Sequence, residues 1–110
     1  MLRDLFGAQQ DFSQYRFEPF RDGIEIARIY GDGRRGPAAA LLRYAPGAVV
    51  PAHDHPGYEH VIALSGSQRD DRGSYGVGSC LIHVPGTHHS VVSPDGCVVL
   101  ALWYSPVVFR

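Results

Sequence analysis

Glycine and proline cut this chain into pieces too short for helices. Thirteen Gly and eight Pro punctuate 110 residues, and beyond residue 20 the uninterrupted runs are mostly six to nine residues long. That is strand length, since globular helices need about ten or more residues. The runs fall at 24–30, 38–45, 58–65, 67–72, 79–84 and 97–104, each bounded by Gly, Pro or Asp. Short runs at regular spacing predict an all-β sandwich or barrel. At this length the chain makes one domain that buries a single core.

The last run, Cys97-Val-Val-Leu-Ala-Leu-Trp-Tyr104, is apolar at both alternating positions. It is therefore expected to be covered on both sides, by the core and by another segment or subunit, and a homodimer is expected. Residues 6–20 carry Phe6, Phe12, Tyr15, Phe17 and Phe20 among polar neighbours. Residues 1–20 read as an N-terminal arm or capping segment that closes the barrel or crosses onto a partner, and residues 21–110 as the barrel itself.

Charge excludes several partners and chemistries. All ten basic residues are Arg, scattered from Arg3 to Arg110 and balanced by eleven acids, so no basic stripe marks a nucleic-acid surface. The absence of Lys rules out Schiff-base chemistry and an activated amine nucleophile. No stretch approaches the roughly 18 apolar residues of a membrane span, and the N-terminus has no hydrophobic leader. A soluble, cytoplasmic protein with no membrane or nucleic-acid partner is expected. Cys80 and Cys97 lack CxxC spacing and stand beside apolar residues, so both read as small buried hydrophobes.

Chemistry concentrates between residues 53 and 89, where all six His lie. His53 and His55 are two apart, which in a strand puts both imidazoles on one face. Glu59 shares their parity after a bend at Pro56-Gly57, and a third imidazole from a later strand would complete a cage. Neutral imidazoles and a carboxylate suit a borderline divalent ion at roughly 2.0–2.2 Å and leave a position for water or a ligand. Such an ion polarises a bound oxygen or lowers the pKa of bound water. The candidate ligands are His53, His55, Glu59 and His89, holding one divalent ion per chain.

The spacing Gly47-x5-His53-x-His55-x3-Glu59-x6-Gly66 resembles the first motif of the cupins at every defined position. Gly78-Ser-Cys-Leu-Ile-His-Val-Pro85-Gly86-Thr-His-His89 resembles the second, with His89 where that motif has its ligand and His88 one step out of register. Val84 stands where the motif has Pro, and Ser93 where it usually has Asn. The wording His-Pro-Gly-Tyr-Glu, Val-Pro-Gly-Thr-His-His and Leu-Leu-Arg-Tyr-Ala-Pro-Gly is similar to the ChrR-like cupins, relatives of the cupin half of bacterial zinc-binding anti-sigma factors, over about residues 20–108.

The resemblance implies a jelly-roll β-barrel with a metal inside, often zinc. In longer members it implies a response to oxidative stress through a sigma factor held by a separate N-terminal helical domain. The first twenty residues here are too few for that domain and carry no Cys or His, so anti-sigma activity is not expected.

Two functions compete. One is a stand-alone metal-binding cupin that senses or binds a small molecule or an oxidant. The other is a dioxygenase using Fe, Mn or Ni, since zinc has no redox chemistry. A sugar isomerase is a weaker third, with no His–Asp pairing in sight. Val61, Ala63 and Trp103 are expected to line the interior, and His60 and Tyr58 to face outward. His83 and His88 lie near the second motif, with His88 the reserve candidate for a role beside the metal. Alternation leaves open which of Arg43 and Tyr44 points inward; an inward Arg43 would favour an anionic ligand.

Overall fold

The computed structural model describes residues 2–6 and 10–110; residues 1 and 7–9 of the predicted arm lie outside the described residues. Every regular element among the described residues is a strand: β1 (Glu18–Arg21), β2 (Ile24–Tyr30), β3 (Ala38–Tyr44), β4 (Ala48–Asp54), β5 (Glu59–Asp70), β6 (Gly73–Gly76), β7 (Cys80–His83), β8 (His88–Ser93), β9 (Cys97–Trp103) and β10 (Val108–Phe109). Neighbours pair antiparallel in the order β1-β2-β3-β9-β5-β8-β4-β10, with β6 and β7 also on β5. This is the expected all-β jelly-roll barrel, a sheet curled around one interior.

Two expected runs, 58–65 and 67–72, are one strand. β5 continues through Gly66 with a register shift between Ala63 and Ser65. Its first half pairs with β9 and β7, and its second half with β6 and, at Arg69, with β8. Gly66 has φ +66°, and a Cβ there would collide with the Gly96 carbonyl and lie 2.9 Å from Cys97 Cα. Only glycine fits that bend, and the bend carries β5 from one half of the barrel to the other. In β4, Pro51 falls in the register irregularity between Val50 and His53, where a missing N–H costs no regular ladder bond.

β9 is covered on both sides, as its sequence predicted. Cys97 and Val99 face inward with Ile24, Tyr44, Val61 and Val91. Val98 and Leu100 face outward with Ala27, Leu41 and Leu64, and against this outer cluster lie Leu2, Leu5, Phe12, Tyr15 and Phe17 from the N-terminal segment. The cover is thus a segment of the same chain. Gln10 fixes it by donating from Nε2 to the carbonyls of Leu5 (2.6 Å) and Leu64 (2.7 Å).

Cys97 is buried, but Cys80 is exposed, which corrects the reading of both as core residues. On β7 the alternation puts Cys80 and Ile82 outward and Leu81 and His83 inward. The two thiols are also on strands that flank β5 from opposite sides, Cys80 opposite Ile62 and Cys97 opposite Gly66. Neighbouring apolar letters had concealed this edge position.

Candidate metal centre

Three strands deliver the four predicted ligands. β4 carries His53, and His55 follows it, tied to the turn before β8 by its N–H to the Thr87 carbonyl and by the Gly86 N–H to its own carbonyl, both 2.9 Å. His89 on β8 is the direct register partner of His53. Glu59 opens β5, between His83 of β7 and Trp103 of β9. His53 and His55 are only 4% and 1% exposed, so both imidazoles have left water. One ligand atom from each of His53, His55, Glu59 and His89 lies within 4.8 Å of all the others.

Hydrogen bonding fixes which nitrogen is free in the rings of His53 and His55. His53 Nδ1 is 2.8 Å from the Pro51 carbonyl, which can only accept, so Nδ1 carries the proton and Nε2 the lone pair. Thr87 spends its hydroxyl proton on the Val84 carbonyl (2.6 Å), so its oxygen accepts from His55 Nδ1 (3.1 Å). His89 Nδ1 faces Asp70 Oδ2 at 3.6 Å. Each ring is held from behind by an acceptor, the arrangement that orients metal-binding imidazoles.

The decisive contact is between His55 Nε2 and Glu59 Oε1, 3.3 Å apart. His55 Nε2 is buried with no hydrogen-bond partner, and its ring proton is already on Nδ1. Two lone-pair atoms facing one another away from water repel, unless a cation lies between them. The donor set fits a divalent first-row ion, and small side-chain rotations bring such atoms to bonds of roughly 2.0–2.2 Å.

Two of the imidazoles, His53 and His89, are suited to binding in their neutral form. Burial pushes the pKa of His53 down, only partly offset by the Pro51 carbonyl. Burial, and then the neighbouring rings of His83, His53 and His55, lower His89 to about 4. At neutral pH these lone pairs are not blocked by protons. Burial works to raise the Asp70 carboxyl, but hydrogen bonds from the Arg72 N–H, Tyr75 hydroxyl, His89 ring and Gly73 N–H hold it below the usual carboxylate range.

One side of the cluster opens inward. His53, Glu59 and His89 form part of the wall of a cavity of about 380 Å³, whose other walls include Leu42, Val61, Val91, Val99, Ala101 and Trp103. That size falls in the range of small-molecule sites. Tyr44 and Gln68 are polar members of the wall. Val61 and Trp103 line the interior as expected, and Ala63 is 1% exposed. His60 faces an outer groove with Tyr58 and Tyr104, also as expected.

Arg43 points outward, pairing with Glu25 at 2.9 Å and lying over the Phe17 ring at 3.9 Å, while Tyr44 points inward. His88 is exposed; standing one residue from His89, it faces the other side of β8. The imidazole beside the site is instead His83, stacked on His55 with ring centres 4.7 Å apart and planes 6° apart, and 4.4 Å from His89. Its pKa is lowered by burial. The alternation of β7 contained that signal, since His83 shares the inward parity of Leu81.

Asp70 and Phe109 were not anticipated. Asp70 is an odd number of residues from Glu59, so strict alternation sends it outward; the bulge near Gly66 reverses the parity and turns Gln68 and Asp70 in. Phe109 is on β10, which pairs with β4 at His53 and Asp54, and its ring centre is 5.5 Å from that of His53. No sequence signal marked that two-residue strand.

Residues 7–106 match the family described as the ChrR Cupin-like domain. The anti-sigma-E factor ChrR of Cereibacter sphaeroides is 35% identical over 78 residues, covering 68% of this chain and 37% of that protein. The crystal structure of Rhodobacter sphaeroides SigE in complex with the anti-sigma ChrR matches with a TM-score of 0.75 at 27% identity, over 86% of this chain and 52% of the other. This chain thus spans about half or less of those relatives. The acetylacetone dioxygenase of Acinetobacter johnsonii shares the fold, with a TM-score of 0.78 at 14% identity over 94% of this chain and 79% of the other.

Proposed function

Since the chain belongs to the ChrR cupin-like family, we propose that it holds one zinc ion on His53, His55, Glu59 and His89 and binds a small molecule or an oxidant in the cavity beside that ion. The observation that carries this reading is His55 Nε2, buried without a partner and 3.3 Å from a carboxylate oxygen. A dication would supply Lewis acidity at that point, polarising an oxygen presented from the cavity. The protein's own contribution is orientation: the Pro51 carbonyl, Thr87 and Asp70 hold the three imidazoles, and the apolar walls keep bulk water away.

The other reading favoured by an observation is a dioxygenase with Fe, Mn or Ni at the same ligands. It rests on His53, Glu59 and His89 forming part of the cavity wall, so that an organic substrate would reach the ion. Metal identity separates the two, because zinc takes no part in redox steps. A cytoplasmic homodimer completes the proposal. Its support is an outer apolar groove that includes Tyr58, Ile62, Leu102 and Tyr104, together with the absence of any helix among the described residues long and apolar enough to cross a membrane.

Elemental analysis of protein purified without chelator or metal-affinity resin tests this, with His89→Ala as the control for adventitious ions. Close to one zinc per chain, lost in the variant, is expected. Iron, manganese or nickel at that level moves the dioxygenase into first place and calls for an oxygen-uptake screen. No metal in the wild type, even after reconstitution, overturns both readings.

A further inference from the structure

Among the described residues two arginines lie over phenylalanine rings, and their surroundings differ. Arg43 is 3.9 Å above Phe17 and is neutralised by Glu25. Arg21 is 4.0 Å above Phe109, forms no ion pair among the described residues, and lines the cavity that reaches His53. Arg28 lines it too, again with no ion pair among the described residues. A guanidinium is always charged. The stack on Phe109 holds the Arg21 group in place at the wall that also carries His53.

The charge balance of the cavity is therefore one-sided. Arg21 and Arg28 line it, and its single carboxylate is Glu59, a predicted metal ligand. Between them the wall is hydrocarbon, with Leu42, Val50, Val61, Val91 and Val99 prominent. Tyr44 and Gln68 add uncharged polar groups to that wall. Cation-lined openings with low-dielectric walls attract and orient anions.

We propose that the cavity is a site for a small organic carboxylate with an apolar body, its charged end recognised by Arg21 and Arg28 and its chain lying along the valine wall. The inference rests on the reading of this cavity as a ligand site and adds the charge and shape of the occupant. It does not depend on which metal is bound.

Trp103 lines the cavity and is the one tryptophan of the chain, so its fluorescence reports filling directly. The probes are hexanoate, hexan-1-ol and hexylammonium, which share a body and differ in charge. They are titrated into protein as purified and into chelator-stripped protein, with metal content measured in both. Hexanoate is expected to bind at least about tenfold more tightly than hexan-1-ol, and hexylammonium weakest. The double variant Arg21→Gln/Arg28→Gln should reduce that preference below about threefold while leaving hexan-1-ol unchanged. Arg34→Gln, an exposed arginine outside the cavity wall, should behave as wild type.

Equal binding of acid and alcohol, no binding of hexanoate at millimolar concentration, or an acid preference that survives the double variant would each overturn the proposal. Failure of the metal reading has a different signature. It appears as no metal in either preparation, with selectivity for hexanoate intact and still dependent on the two arginines.

Discussion

Adjacent leucines on β3 face opposite ways and meet different surroundings. Leu41 is 0% exposed in the outer cluster, under the N-terminal segment, whereas Leu42 lines the cavity on the inner face. Both faces of this sheet are largely apolar. The outer one is filled by Leu2, Leu5, Phe12, Tyr15 and Phe17; the inner one keeps a space beside the imidazole cluster. An apolar pattern thus reports that a face is covered, but not whether the cover is packed or hollow, and here that distinction separates stability from binding.

Truncating the two leucines tests the distinction most strongly. Leu41→Ala leaves a hole in a packed region and is expected to cost about 3–4 kcal/mol. Leu42→Ala removes a side chain that already borders open volume and is only partly buried, so about 1–2 kcal/mol is expected. Urea unfolding of both variants gives the comparison, with hexan-1-ol binding as a second readout that only Leu42→Ala should alter. Equal losses from the two would mean that the inner face is packed as tightly as the outer one.

The same contrast explains what was legible in the sequence. Strands bounded by Gly and Pro could be read off because each break has a local cause, and His53, His55 and Glu59 because they follow alternation within a few residues of one bend. His89 could be placed through a motif. Asp70 could not, because the register shift between Ala63 and Ser65 reverses parity between it and Glu59, and such a shift, like the bend at Gly66 against Gly96 and Cys97, is a tertiary event. Cys80 was misread because an edge strand with one apolar inward residue resembles a core strand in its letters. Arg21 and Phe109 come together through β1 and β10, strands of four and two residues whose pairing depends on partners far along the chain.

Asp70 gives the next prediction. Its Oδ1 accepts from the Arg72 and Gly73 N–H groups and the Tyr75 hydroxyl, and its Oδ2 faces His89 Nδ1. An Asn can keep the first set, but when it does so its amide N–H₂ is turned toward the ring N–H. Asp70→Asn is therefore expected to weaken binding of added zinc, used as the probe ion, ten- to a hundredfold, read by competition with a chromophoric chelator, while unfolding stays cooperative. Asp54→Asn is the matched control. Asp54 is paired with Arg110 on the exposed side of β4, where ion pairs contribute little, and less than about a twofold change is expected. Similar losses in both would show that carboxylates near the cluster act through general electrostatics rather than through His89.

The smallest expected effect sharpens the comparison furthest. Among the described residues two buried side-chain polar atoms lack a hydrogen-bond partner, His55 Nε2 in the inner cluster and Tyr15 Oη beneath the outer face. The inner one has a reason to be free, because it faces Glu59 across the space where an ion fits. The outer one has none, since the Tyr15 ring packs against hydrocarbon and a lone hydroxyl there gains nothing to offset its lost water. Tyr15→Phe should accordingly leave stability unchanged or raise it by up to about 1 kcal/mol, with metal content as in the wild type. A loss of stability would mean that the hydroxyl has a partner in solution, and the N-terminal segment would then be held by a polar contact as well as by its apolar side chains.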